Sequence, residues 1–325
     1  MMFEEIIGQK RALRILNNMS KRDFVQNLLF TGPAGVGKRT TALIFTRNLN
    51  CPDSGCGVCH ICQRITKLNF PDLHLLTPIA PGEDRYDRSK EYMLGQTAPS
   101  LKQNEIINID HVRDIITECH RPPVEGRRVV IIVHAHRMRY EAVSALLKVI
   151  EEQPHATTFI ITSPQLSAVP DTIKSRCQIV RFNYLKEDEV FEVVKKKGLM
   201  TRTIVPGSPG ETIRFFNSRY FQLTREIFLK TPLPERRIPS MIRKLRTREH
   251  DFRELIQNLL NWYQLLLYAR LNPILISDDD IIEKVRKTKL QRIIRSIETL
   301  LKLNIAIDFH PNRNLLLFRM LRSLC

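Results

Sequence analysis

A glycine-rich segment near the N-terminus carries the strongest chemical signal in the sequence. GPAGVGKR (32–39) fits the spacing G-x-x-x-x-G-K. It follows an apolar stretch, NLLFTG (27–32), and precedes RTTALIFTRNLN (39–50), for which we predict a strand and a helix. Glycines let backbone N–H groups turn towards phosphate oxygens, while the helix N-terminus and a lysine add positive charge. The segment therefore predicts a phosphate-binding loop whose candidate nucleotide contacts are Gly32, Pro33, Gly35, Gly37, Lys38 and Thr40.

The same loop lacks the residues that would hold magnesium. The position after Lys38, normally Ser or Thr, is Arg39. P-loop hydrolases also use an Asp, and often a Glu, at the end of a later strand, whereas the strand VVIIV here ends in Val133 and His134. We therefore predict a loop that either holds ATP or ADP without hydrolysing it or is vestigial. The alternative is a compensating carboxylate from Asp110, Glu151 or Glu152.

Four cysteines follow the predicted loop helix in the pattern C-x₄-C-x₂-C-x₂-C. Thiolates at this spacing suit tetrahedral Zn²⁺. Four protein ligands leave no open coordination position, so the predicted role is to fold a small module at about residues 50–65. The predicted ligands are Cys51, Cys56, Cys59 and Cys62, with His60 as a substitute ligand. An iron–sulfur cluster or free thiols are the alternatives.

An arginine in the segment PDTIKSRCQIVRF (170–182) is the third candidate. We predict a turn that runs into a short strand, which leaves Arg176 in an exposed loop. Such an arginine either pairs with a carboxylate or reaches a neighbouring nucleotide site, where it stabilises transition-state charge as an arginine finger. Spacing alone favours the carboxylate pair.

Strands alternate with helices across residues 27–182, which predicts a parallel α/β sheet with helices on both faces. Besides 27–32, the predicted strands lie in DLHLLTPI (72–79), RRVVIIVHA (127–135), TTFIITS (157–163) and the end of 172–182. A helix is expected to begin near Asp110, with that residue as its N-cap. The polar segment 81–105, with two glycines and two prolines, predicts a surface insertion.

Helical patterns replace the strands after about residue 183. We predict a small helical domain over 183–231, a linker in TPLPERRIP (231–239), which has three prolines, and a helical domain over 240–325. Two segments of that last domain repeat apolar residues at helical spacing, and NLLLFRMLRSL predicts a final amphipathic helix.

Composition narrows the class of partner. The chain has 325 residues, 43% of them apolar, and a formal net charge of +17. This balance favours a polyanionic partner such as DNA or RNA, with an acidic protein as the alternative. There is no run of 18 apolar residues and no signal-peptide pattern at the N-terminus, so we expect a cytoplasmic protein without a membrane partner.

Taken together, these motifs resemble the clamp-loader branch of the AAA+ proteins, and within it the delta-prime subunits of bacterial DNA polymerase III. The resemblance rests on GPAGVGKRTTALIFTRNLNC with its cysteine cluster, on IINIDHVRDI, on AHRMRYEAVSALLKVIEEQP and on PDTIKSRCQIVRF. Their order and spacing fit over residues 1–182, and GSPG (207–210) with the helices after it extends the fit along the chain.

The resemblance implies three domains: an α/β P-loop (AAA+) domain over 1–182, a small helical lid domain over 183–231 and an all-α collar domain over 240–325. It implies a hetero-pentameric ring with gamma/tau and delta subunits, which loads a sliding clamp onto primer–template DNA during replication. ATP hydrolysis would belong to gamma/tau, while this chain would be a non-hydrolysing stator. Arg176 would be the finger that acts on a neighbouring gamma/tau site.

Three departures from the gamma/tau pattern favour the delta-prime type. They are Arg39 in the loop, the missing acids at Val133 and His134, and Gly210 where the ATPases carry a lid arginine. The alternatives are an ATP-hydrolysing gamma/tau-type subunit, or a stand-alone basic DNA-binding module that needs no ring partners.

Overall fold

The computed structural model describes most of the chain. The described residues are 3–21, 27–80, 82–83, 85–94, 105–152, 156–199, 201, 205–244, 249–271, 278–307 and 312–324. They form two compact units, residues 1–185 and 186–325. Within the described residues, no helix has both the length and the apolar character needed to span a membrane.

A five-stranded parallel sheet organises the first unit. Its strands are β1 (Leu28–Thr31), β2 (Leu73–Leu76), β3 (Arg128–Ile132), β4 (Thr157–Ser163) and β5 (Gln178–Arg181). They lie in the order β2-β3-β4-β1-β5, and every neighbouring pair is parallel. Every residue of β1, β3 and β4 is buried, as expected for apolar runs covered on both faces. All five predicted strands are confirmed.

Seven helices accompany the sheet among the described residues of this unit. They are α1 (Lys10–Ser20), α2 (Lys38–Asn50), α3 (His60–Thr66), α4 (Arg85–Leu94), α5 (Ile109–Cys119), α6 (Tyr140–Glu152) and α7 (Asp171–Lys174). Helices α5 and α6 pack on one face of the sheet, where Val112 and Leu146 join Leu29, Val130 and Phe159 in one core. Helices α1 and α2 contact β5 and β4. Each fully buried Leu, Ile or Phe here contributes roughly 1.5–3 kcal/mol.

Two local predictions in this unit need correction. The N-cap of α5 is Asn108, whose side chain accepts from the His111 N–H, so Asp110 lies inside the first turn. The segment 81–105 is not simply a surface insertion, because α4 lies within it and buries Ser89, Tyr92 and Met93. These three side chains share one helical face at i, i+3 and i+4. The rest of the segment, residues 81, 84 and 95–104, lies outside the described residues.

The second unit is helical throughout its described residues. Its α-helices are α8 (Glu187–Lys196), α9 (Pro209–Asn217), α10 (Phe221–Lys230), α11 (Ile238–Lys244), α12 (Glu249–Leu271), α13 (Asp279–Lys287), α14 (Leu290–Ala306) and α15 (Arg313–Ser323). Trp262 lies at the centre of the core, with its ring 4.8 Å from that of Phe215 and 5.4 Å from that of Phe228. The indole N–H donates to Thr224 Oγ1 at 3.1 Å, so the buried donor is satisfied.

The predicted fold class is confirmed: an α/β P-loop domain of the AAA+ type precedes a helical region. The segment 231–239, predicted to be a linker, packs into the helical core through Leu233 and Ile238. Residues 186–325 form one unit. The division into a lid over 183–231 and a collar over 240–325 therefore stays a prediction.

Candidate nucleotide loop, cysteine cluster and arginine loop

Parallel strands place the candidate groups at two edges of the sheet. The phosphate-binding loop follows β1, and His134 follows β3, so both lie at the edge formed by the carboxyl ends of the strands. Arg176 directly precedes β5, and α6 ends just before β4. Arg176 and the end of α6 therefore lie at the opposite edge, away from the loop of their own chain.

The glycines of the loop are required by its shape. At Gly32, φ is +146° and an added Cβ would lie 2.1 Å from the carbonyl oxygen of Phe182. Gly35 and Gly37 also have positive φ, 72° and 100°. These are conformations that side chains with a Cβ rarely adopt. The loop is therefore shaped as a phosphate-binding loop, and α2 begins directly after it at Lys38.

The charged end of Lys38 is held by the loop itself. Its Nζ donates to the carbonyl oxygens of Gly32 and Pro33. Thr40 is exposed on α2, while the buried Thr41 donates to the Gly37 carbonyl at 3.0 Å. In this arrangement the ammonium is satisfied by backbone, so a bound phosphate would have to exchange with these carbonyls. Nucleotide contact by Pro33, Lys38 and Thr40 stays a prediction.

Arg39, Tyr92 and His134 form a cluster beside the loop. Arg39 donates through Nη1 to the Tyr92 carbonyl, and its guanidinium carbon lies 4.7 Å from the centre of the Tyr92 ring. The Tyr92 hydroxyl is hydrogen-bonded to His134 Nε2, and the two rings meet edge to face at 5.6 Å. The Arg39–Tyr92–His134 cluster joins the loop position that lacks a magnesium-binding hydroxyl to the strand-end position where P-loop hydrolases often carry a Glu. Tyr92 was not predicted as a site residue. The spacing of Ser89, Tyr92 and Met93 indicates a buried helical face but not the contact with His134.

The electrostatics of this cluster do not suit a divalent cation. Burial, followed by the neighbouring His136 and the positive charges of Lys38, Arg39 and Arg137, lowers the pKa of His134 to about 3. The imidazole is therefore neutral at ordinary pH. Among the described residues, the one group of three or more His, Cys, Asp or Glu side chains that could share a metal ion is the cysteine cluster.

The carboxylates considered as replacements are engaged elsewhere. Asp110 is exposed and lies 3.4 Å from Arg113 on its own helix. Glu151 pairs with Arg176 at the edge of the sheet opposite the loop. Glu152, next to it, is exposed at the same end of α6. None of these three carboxylates forms a hydrogen bond or ion pair with the Arg39–Tyr92–His134 cluster.

The four predicted cysteine ligands are brought together. The sulfur atoms of Cys51, Cys56, Cys59 and Cys62 all lie within 4.8 Å of one another. Cys51 Sγ is 3.7 Å from both Cys56 Sγ and Cys59 Sγ. A Zn–S bond of about 2.3 Å in a tetrahedron places sulfurs about 3.8 Å apart, so the donor set fits zinc. His60 instead lies 3.2 Å from Glu125 Oε1 and takes no part in the cluster.

Backbone hydrogen bonds prepare the cluster for thiolates. The amide N–H of Cys59 donates to Cys56 Sγ, and that of Cys62 donates to Cys59 Sγ, each at 3.4 Å. Burial opposes ionisation of Cys51, but backbone N–H groups of Cys56 and Gly55 outweigh it and lower the pKa of Cys51 to about 7. Burial raises the pKa of Cys62. The cluster is therefore a candidate metal site, since bound metal displaces the remaining thiol protons.

Arg176 lies in the exposed loop after α7, as predicted. Its Nη2 is 2.5 Å from Glu151 Oε1, and its Nη1 donates to Thr172 O and Ser175 Oγ, each at 3.1 Å. The side chain is 39% exposed. The carboxylate pair favoured by the spacing is thus present, and the arginine remains accessible to another molecule.

Gly210 lies in the first turn of α9. Ser208 is the N-cap and accepts from the Glu211 N–H at 3.2 Å, and Pro209 occupies the first helical position. The turn is therefore well capped without a functional side chain at Gly210. An arginine at this position is absent from the sequence itself.

The parallel sheet and glycine-rich loop define a P-loop α/β protein, and comparison with known proteins gives its family. The profile of the family described as DNA polymerase III, delta subunit, matches residues 8–186. The chain belongs to this family. Its predicted place among the DNA polymerase III clamp-loader proteins is thereby confirmed at the level of the family.

Curated relatives include several types of subunit. The chain is 29% identical over 208 residues to DNA polymerase III subunit gamma of Buchnera aphidicola subsp. Schizaphis graminum, which covers 60% of the chain and 50% of the relative. It is 30% identical over 193 residues to subunit delta' of Bacillus subtilis, with coverages of 57% and 51%. Subunit tau of the same organism is 29% identical over 187 residues, with coverages of 56% and 29%. The chain thus spans about half or less of the length of these relatives, and their identities do not separate delta' from gamma and tau.

Solved structures with a similar arrangement are more distant in sequence. A gamma subunit-related protein of Thermotoga maritima gives a TM-score of 0.44 at 14% identity, covering 95% of this chain and 97% of the other. RuvB of the same organism gives a TM-score of 0.45 at 14% identity, covering 83% and 78%.

Proposed function

We propose that the chain is a non-hydrolysing, delta-prime-type stator subunit of the bacterial clamp loader. It would act in the cytoplasm within a hetero-pentameric ring of gamma/tau and delta subunits. Through that complex it would help load a sliding clamp onto primer–template DNA. The observation that carries the proposal is the Arg39–Tyr92–His134 cluster. It places a cation where the loop of a hydrolase has a magnesium-binding hydroxyl, and a neutral imidazole bonded to a phenol where the strand end has a Glu.

The position of Arg176 supports the part of the proposal in which this chain assists a neighbouring subunit. Arg176 is exposed and lies at the edge of the sheet opposite its own phosphate-binding loop. A guanidinium there can act only on a nucleotide held by another subunit. We therefore assign Arg176 the role of an arginine finger for a neighbouring gamma/tau site, where it would stabilise the charge that develops on the transferred phosphoryl group.

The loop keeps the backbone shape for phosphate, so ATP or ADP binding without hydrolysis is part of the proposal. Positive φ at Gly32, Gly35 and Gly37 preserves the turn, and α2 presents its N-terminus directly behind it. Mg²⁺ normally neutralises much of the phosphate charge. In this loop Lys38 and Arg39 would supply the neutralising positive charge. Bound nucleotide would then have a structural role.

The cysteine cluster is proposed to hold one structural Zn²⁺. Four sulfurs at the separation of a tetrahedral site would use all four coordination positions, so the metal would stabilise the module at about residues 50–65 and take no part in catalysis. When bound, zinc would supply cross-links between the end of α2 and the start of α3, which border the four cysteines.

Reconstitution tests the proposal directly. The purified chain is combined with gamma/tau-type and delta-type subunits, and ATP turnover and clamp loading onto primer–template DNA are measured. We expect Arg176→Ala to lower both by a factor of about 10³ or more at the neighbouring site, the effect of removing an arginine finger. Arg113→Ala is the matched control, since Arg113 is also exposed and paired with a carboxylate of its own chain.

The gamma/tau-type alternative is favoured by one observation, the similar identity of the gamma relative. It requires ATP turnover by this chain that depends on Lys38. The basic DNA-binding module requires salt-dependent DNA binding by the isolated chain and normal function without ring partners. ATP turnover by the isolated chain that is lost on Lys38→Ala would support the first of these and contradict the proposal.

A further inference from the structure

The guanidinium of Arg176 is engaged on both of its terminal nitrogens by its own chain. Nη2 contacts Glu151 Oε1 at 2.5 Å. Nη1 donates to the backbone carbonyl of Thr172 and to the hydroxyl of Ser175, each at 3.1 Å. These contacts occupy three of the five N–H donors of the guanidinium, so Arg176 has to exchange acceptors before both terminal nitrogens can bind a phosphate on another molecule.

Glu151 is poorly placed for the stability of its own helix. It lies in the last turn of α6, which carries no basic residue. The last turn is the negative end of the helix dipole, where an acidic side chain is unfavourable. The charge of Glu151 therefore has its favourable partner outside the helix, in Arg176 of the loop that precedes β5.

The ion pair is strong enough to bias Arg176 and weak enough to open. The two side chains are 39% and 51% exposed, and exposed pairs of this kind contribute little and are screened by salt. A nucleotide phosphate carries more negative charge than one carboxylate and can accept two parallel N–H bonds from a guanidinium. Phosphate on a docked neighbour would therefore displace Glu151.

We propose that Glu151 is a positioning residue that holds Arg176 against its own chain until a neighbouring nucleotide site docks. This inference rests on the proposed function of Arg176 as an arginine finger. Glu151 does not touch the nucleotide in this scheme, since it acts only by competing with phosphate for the guanidinium. Removing the charge of Glu151 lowers the concentration of this chain that half-saturates the neighbouring subunit. The maximal rate of ATP turnover stays unchanged.

The experiment titrates the full chain into gamma/tau-type and delta-type subunits and follows ATP turnover. For Glu151→Gln we expect half-maximal stimulation at a concentration up to about five-fold lower than for the native chain at low salt, with an unchanged maximal rate. The difference should vanish near 1 M salt, where the screening length is about 3 Å. Glu151→Asp keeps the charge and should behave as the native chain, and Glu152→Gln removes a neighbouring exposed carboxylate and should have no effect.

A second measurement follows Arg176 in the isolated chain. The Nε–Hε group of Arg176 should become more mobile by NMR relaxation in Glu151→Gln and stay unchanged in Glu152→Gln. Unchanged mobility together with unchanged half-saturation in Glu151→Gln, or a lowered maximal rate, would overturn this inference alone, provided that Arg176→Ala still abolishes stimulation. If Arg176→Ala leaves stimulation intact, the proposed function fails and this inference fails with it.

Discussion

At the scale of single residues, His134 follows a strand that keeps its backbone pairing, and it stands where P-loop hydrolases often carry a carboxylate. The preceding strand continues through Val133, whose N–H donates to the Leu76 carbonyl at 2.8 Å. His134 then adopts a left-handed conformation with φ of 58° and turns its ring to Tyr92. Because the ring is buried, and because His136, Lys38 and Arg39 add positive charge nearby, a protonated imidazole is unfavourable there. The chain therefore stabilises a neutral side chain where a hydrolase needs an anion.

The depressed pKa of His134 predicts a dependence of stability on pH. An unfolded histidine protonates below about pH 6.5, whereas His134 in the folded chain protonates only near pH 3. Its contribution is therefore fully present above pH 6.5 and is lost as the pH falls from 6.5 towards 3, by up to about 1.4 kcal/mol per pH unit. We expect His134→Asn, which tolerates the left-handed backbone and does not titrate, to show a correspondingly shallower loss.

Urea unfolding of both proteins at pH 7, 6 and 5 measures this difference. His120→Asn is the control, because His120 is exposed at the end of α5. Parallel curves for the native chain and His134→Asn would show that the imidazole is not kept neutral by its surroundings.

At the scale of elements, the sequence predicted the strands better than the details that border them. Buried parallel strands are continuous apolar runs, so β1, β3 and β4 could be located from NLLFTG, VVIIV and TTFIITS. The cap of α5 was placed two residues late because Asn108 and Asp110 are both good caps, and the side chain that reaches a free N–H decides between them. Helix α4 was missed because its segment is mostly polar and, among its described side chains, only Ser89, Tyr92 and Met93 are buried.

The candidate site was predicted in the parts that depend on local spacing. The phosphate-binding loop and the cysteine ligands are close in sequence, so their geometry follows from the motif. Tyr92 and the Glu151–Arg176 pair depend on where α4 and α6 end in the fold. A single sequence contains no signal for contacts across 42 or 25 positions unless the topology is already known.

The turn from β1 into α2 gives a test at this scale. We expect Gly32→Ala to destabilise the first unit by about 2–4 kcal/mol, because the new Cβ meets the Phe182 backbone and φ is unfavourable. Gly198→Ala is the control: its φ is also positive, at 83°, but no atom lies within 4 Å of an added Cβ, so about 1 kcal/mol is expected. Equal losses in denaturant unfolding would mean that the Gly32–Phe182 contact is not made.

The cysteine cluster gives the second test. We expect the chain, purified without chelators, to carry about one equivalent of zinc, and Cys62→Ser to carry none and to unfold at a lower temperature. Cys119→Ser is matched in burial and lies outside the cluster, so it should keep its zinc. Elemental analysis measures the zinc content, and thermal unfolding measures the loss of stability. Zinc retained in Cys62→Ser would contradict the assignment of that ligand.

At the scale of the whole molecule, the candidate functional groups of the first unit lie at two opposite edges of its sheet, and the second unit is a helical core. One edge of the sheet holds a phosphate-shaped loop without magnesium ligands, and the other presents Arg176. The helical unit is built around Trp262 and carries exposed apolar residues on α14, such as Ile294 and Ile305. The net charge of +17 suits proximity to DNA. A chain built in this way fits a subunit that supports a neighbour's reaction and performs none itself.

Steady-state ATP turnover by the purified chain tests this claim most directly. The assay is run with Mg²⁺, with and without primer–template DNA, beside a gamma/tau-type subunit as the positive control. We expect no turnover above that of Lys38→Ala under either condition, because Arg39 and His134 stand where a hydrolase carries a magnesium ligand and a Glu, and Asp110 and Glu151 pair with arginines elsewhere. Turnover that is abolished by Lys38→Ala would contradict the proposed non-hydrolysing role.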